Sequence, residues 1–124
     1  MLSVIAWSET YKAAAETKAR LGLQVDNQYP ETPANREICQ QQQNANMAKI
    51  GAGIDAIEEA LRLRPDYEDA MAYLNLLYRR KADLECANAS ARAADVRIAD
   101  EWSDKAMAAR KTKVRNMEQQ PSAQ

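Results

Sequence analysis

The stretch from Gly53 to Tyr78, GIDAIEEALRLRPDYEDAMAYLNLLY, constrains the fold more than any other part of the chain. Around its start, Ile50, Ile54, Ile57 and Leu61 recur at the spacing of one face of an α-helix. Beyond it, Met71, Leu74, Leu77 and Tyr78 do the same, with Tyr73, Leu76 and Arg80 flanking. Between the two stripes stands Pro65, which cannot continue a helical hydrogen-bond ladder and restricts the residue before it. Asp66 is placed to cap the second helix, and Glu68 and Asp69 in its first turn suit the macrodipole. Two apolar stripes joined by a turn this short predict an antiparallel helical hairpin.

The rest of the chain extends that pattern. Helical spacing of Val4, Ile5, Trp7, Tyr11, Ala15 and Ala19 predicts a first helix from about Leu2 to Arg20, with Gly22 as its stop. A long connection with two prolines follows, and Thr32 before Pro33 reads as an N-cap with proline in the first turn. The second helix then runs from Pro33 to Leu63. Its first half carries the Gln40–Gln43 run, read as an exposed helical face. The third helix reaches about Cys86, and Asn88 and Ser90 mark a break. A fourth spans about Ala91 to Met117, with Val96, Ile98, Ala99, Trp102 and Ala106 inward. The expectation is an all-α, antiparallel array of about four helices over residues 1–118, with 119–124 as a flexible tail.

Composition narrows function by exclusion. The chain has 124 residues and a net charge of −1, with both signs interspersed. No global field draws it to nucleic acid or to an anionic membrane. No apolar run is long enough to span a bilayer, and MLSVIAWSET lacks the basic and apolar regions of a signal peptide. There is no histidine, which removes Ser-His-Asp and Cys-His catalysis and His-metal sites. Two cysteines without histidine do not make a structural zinc site. Gly51-Ala52-Gly53 lies inside a helical pattern, without the context of a phosphate loop. The expectation is a non-catalytic protein without metal or cofactor.

The Pro65 hairpin resembles tetratricopeptide (TPR) repeats. Gly53, Ile57, Ala60 and Pro65 match the small, bulky, Ala and Pro positions of a back helix. Met71, Leu74 and Tyr78 match the front helix, with Asn75 where a small residue is usual. Small residues let helices approach, and bulky neighbours fill the grooves. The fourth helix resembles a second back helix through Ala99 and Ala106. The distance from Ala60 to Ala106 is about 46 residues against a repeat of 34, which implies an overlong last hairpin. Leu2, Ser3 and Ala6 resemble the later part of a front helix, so the chain is expected to begin inside a repeat. DAMAYLNLLYRRKADLEC and ARAADVRIADEWSDKAMAARK are similar to the C-terminal region of bacterial, acidobacteria-type TPR proteins, often exported or lipid-anchored. The resemblance implies an α-solenoid acting as a protein-interaction module or scaffold. It also implies upstream repeats and an envelope location, against a cytoplasmic one for the chain as it stands.

In that frame Asp69, Ala72, Leu76, Arg79 and Arg80 fall on the concave side of the third helix, approached by Trp7 and Tyr11 from the first. Aromatic and apolar members supply contact area, and the arginines favour carboxylates on a peptide or partner helix. The bland alternative for Arg79, Arg80 and Lys81 is cation placement near a helix C-terminus. For Arg110, Lys111, Lys113 and Arg115 it is a solvated face. The apolar start Leu2, Val4, Ile5 and Trp7 lacks the polar cap of a solenoid end, so a homodimer through helix 1 is the second expectation. Cys39 and Cys86 lie either side of the Pro65 turn, offset along the hairpin by roughly 7 Å. A disulfide requires Cα atoms within about 7 Å. Either a bend or a slide closes that offset, or the two thiols are buried separately.

Overall fold

The structure is a computed structural model describing residues 2–20, 33–86 and 88–119. Four α-helices account for the regular structure there: α1 (Leu2–Arg20), α2 (Pro33–Leu63), α3 (Glu68–Asp83) and α4 (Ala89–Gln119). No strand occurs among the described residues. The connection ending at Thr32, and the tail from residue 120, lie outside them.

The helices alternate in direction. Ion pairs between Glu9 and Lys49 and between Glu68 and Lys113, and a hydrogen bond from the Tyr78 hydroxyl to Glu58, mark the antiparallel neighbours. Lys18–Asp83 and Tyr11–Arg80 join α1 to α3 in parallel. The shortest helix, α3, packs against all three others, and α1 also packs against α2. The core sits where the two stripes meet: Ile50, Ile54 and Ile57 from α2 and Ala70, Leu74 and Leu77 from α3, closed by Leu84. Trp7, Met47, Leu61, Tyr67, Tyr73, Tyr78 and Trp102 surround it. Leu77 is completely buried. Leu77→Ala should therefore cost about 2–5 kcal/mol from lost transfer energy and the residual cavity. A chemical-denaturation midpoint indistinguishable from the parent's would contradict this packing.

Several local readings need correction. Asp66 does not cap α3: it lies in the Pro65 turn, and Tyr67 takes the N-cap position with no side-chain bond. The turn is held instead by the Tyr67 amide donating to Arg64 O at 3.1 Å, with the Arg64 guanidinium over the Tyr67 ring. The third helix ends at Asp83, not Cys86. Leu84 is buried and its amide closes the last turn onto Lys81 O, while Arg92 of α4 donates to Glu85 O and Cys86 O. Freed from the helix, Cys86 swings to Cys39 of α2. The two form a disulfide with a Cα–Cα distance of 5.7 Å, so the bend lies in this turn.

On α4, Val96 faces outward and Asp95 is buried in its place. Lys81 Nζ donates to both Asp95 oxygens, at 3.0 and 3.2 Å, which makes a carboxylate acceptable on the face of Ala99, Trp102 and Ala106. Burial draws the Lys81 ammonium down, but Asp95 and Glu85 outweigh it and hold the group above the ordinary lysine range. The raised pKa means this contact is at full strength below the unfolded lysine value and fades only as strongly alkaline pH passes the folded one. On α1, Ala19 is exposed and Lys18 is buried beside Asp83. Helix α4 starts two residues earlier than the spacing predicts because the Asn88 side chain accepts from Ala91 N at 3.0 Å, an N-cap. The Gln run is exposed to half-buried, with Gln40 donating to Gln43 and Asn44.

Candidate partner-binding face

Helix α3 buries the face carrying Leu74 and Leu77 and turns another away from the core. Successive residues advance by 100° around a helix, so Asp69, Ala72, Leu76, Arg79 and Arg80 share that second face. Ala72, Leu76, Arg79 and Arg80 are half-buried and Asp69 is exposed. The face runs as a strip between α1 on one side and α4 on the other.

The α1 edge is aromatic. Trp7 and Tyr11, one turn apart, hold their ring centroids at 5.2 Å, and both are half-buried. Arg80 reaches this edge, its guanidinium carbon 5.5 Å from the Tyr11 ring centroid. Its Nη1 is buried and meets no hydrogen-bond acceptor among the described residues. A buried guanidinium nitrogen left unsatisfied costs more than most single interactions contribute.

The α4 edge is ionic. Arg79 Nε donates to Asn75 at 2.8 Å and its Nη2 to Asp100 at 2.7 Å. Asp69 lies 3.9 Å from Arg110. Glu68 sits beside it, its carboxyl held below the ordinary range by the Lys113 hydrogen bond. The structure therefore separates the two arginines that sequence groups together. Arg79 is tied to α4, whereas Arg80 faces α1 and its Nη1 has no acceptor among the described residues. Lys81, third in the run, goes to Asp95.

Sequence reasoning missed Lys18, Asp83 and Asp100 as partners of this region. The only signal for Lys18 was a basic residue at the a stripe position one turn beyond Ala15, where an apolar residue is normal. Nothing local marked Asp100, whose role depends on the α3–α4 register. The side chains of Leu2, Val4 and Ile5, the basis of a helix 1 dimer, lie outside the described residues. No described helix is long and apolar enough to cross a membrane. Comparison with protein-family models, curated proteins and solved structures finds no match to this chain.

Proposed function

We propose that the chain is a non-catalytic interaction module that holds an extended peptide or a partner helix along the strip between α1 and α3. The Arg80 guanidinium supports this reading most strongly: it is half-buried beside the aromatic edge, its Nη1 has no acceptor among the described residues, and a partner carboxylate that displaces the side chains covering Nη1 would satisfy it. Trp7 and Tyr11 offer rigid aromatic area beside it, and Leu76 and Ala72 offer an apolar floor. Arg79 has a lesser role, since Asn75 and Asp100 already occupy it. A TPR-type architecture is part of the same proposal: the parallel α1 and α3 form one wall, as stacked front helices do.

A random-peptide display selection on the immobilised full chain tests the reading. Recovered peptides should be enriched in Asp and Glu at one position. Their affinity should fall at least tenfold for Arg80→Gln, the loss expected of a charge-assisted hydrogen bond of about 1.5–3 kcal/mol. Arg79→Gln should fall by less. Recovery of no acidic peptide, or equal affinity for Arg80→Gln with unchanged circular dichroism, would reject the site.

A further inference from the structure

The long α4 carries a second surface, which meets the α3 strip only where Asp100 and Arg110 pair with Arg79 and Asp69. Four of its large apolar side chains point to solvent: Val96, Met107, Val114 and Met117, the last three 55%, 48% and 64% exposed. They are not scattered. Together with Ala93, Asp100, Ser103 and Arg110 they alternate at spacings of three and four residues, the repeat of a coiled-coil seam. This seam lies about a quarter turn from the Ala99–Ala106 face that packs on α3; its four large apolar side chains stay exposed, Ser103 is half-buried, and α3 reaches the seam only through Arg79 and Asp69.

We infer that this seam binds a second copy of the chain, with the two α4 helices antiparallel about a two-fold axis near Lys105. The seam is self-complementary about that point. Val96 comes opposite the partner's Val114. Ala93, a small residue, comes opposite the flexible Met117, and Ser103 opposite Met107. The one remaining layer sets Asp100 against Arg110, opposite charges, and the two-fold repeats it. The flanking positions agree: Asp104 falls near the partner's Lys111, and Arg97 near its Glu118, all four being exposed in the single chain. Parallel pairing in register would instead stack Asp100 on Asp100 and Arg110 on Arg110, which like-charge repulsion opposes. Charge thus selects both the occupant and its direction. Within one chain Asp100 and Arg110 already meet Arg79 and Asp69 at the surface, and these contacts leave both groups largely open to a partner.

Sedimentation equilibrium on the full chain, with charge reversal and exchange, tests this. The parent should dimerise at micromolar concentration. Asp100→Arg and Arg110→Asp should each weaken the dimer at least tenfold, by setting like charges opposite one another. The two changes together restore opposite charges, so the double variant should return to within about threefold of the parent. Circular dichroism should stay unchanged throughout. A parent that is monomeric at several hundred micromolar would overturn the inference. So would single reversals that leave the dimer intact, or a double variant no stronger than either single one.

Discussion

Removing the Cys39–Cys86 disulfide should lower the unfolding free energy by about 4 kcal/mol, the chain-entropy value for a closed loop of this length. The bridge spans 47 residues and ties the early part of α2 to the turn after α3. Its loop contains the entire Pro65 hairpin, so the reduced unfolded chain regains the freedom of its core-forming segment. Urea unfolding of the oxidised protein and of Cys39→Ser/Cys86→Ser gives the comparison. The midpoint should fall, and the slope should rise as a less compact unfolded state becomes accessible. Coincident curves, or two titratable thiols in denatured protein that has not been reduced, would refute the contribution.

A comparable loss, about 3–5 kcal/mol, should follow Asp83→Ala. The Lys18 side chain is 1% exposed and its ammonium lies 2.5 Å from the Asp83 carboxylate. Taking away the carboxylate removes the buried opposite charge nearest that ammonium, in a site with little water to replace it. The cost is that of a broken buried pair and far exceeds the net worth of an intact one. Lys18→Met/Asp83→Leu separates these ideas. With both charges gone and apolar volume in their place, stability should recover most of the loss seen in Asp83→Ala. Equal melting of Asp83→Ala and parent would show that Lys18 does not depend on this partner.

How far the sequence could be read depended on whether a residue's fate is set locally. The Ile50–Leu61 and Met71–Tyr78 stripes needed only helical periodicity and a proline, and the hairpin followed. The end of α2 at Leu63 was legible for the same reason. Where periodicity misled, a buried charge had displaced an apolar residue: Asp95 over Val96, and Lys18 over Ala19. Hydropathy cannot anticipate such exchanges, because each depends on an opposite charge from another helix, Lys81 or Asp83. The end of α3 was misjudged because its stop is tertiary. Leu84 turns into the core, and Arg92, from the next helix, takes the carbonyls of Glu85 and Cys86. For the candidate face, a helical projection gathered Asp69, Ala72, Leu76, Arg79 and Arg80 together. It could not tell which arginine had a partner, since that answer lies in Asp100, 21 residues further on.

The order of packing also bears on how fast the chain reaches its fold. Every packed pair of helices joins neighbours in sequence except α1 with α3. Each hairpin can therefore close over its own connection, short on either side of α3 and longer between α1 and α2, before the other has formed. Docking them is the one step that needs contacts between distant parts of the chain, and α3 makes those contacts. Architectures whose contacts are mostly local fold on microsecond to millisecond times. A mutation in α3 that weakens its grip on α1 or α2 would retard that docking step, whereas one in the outer turns of α4 would act almost wholly on unfolding.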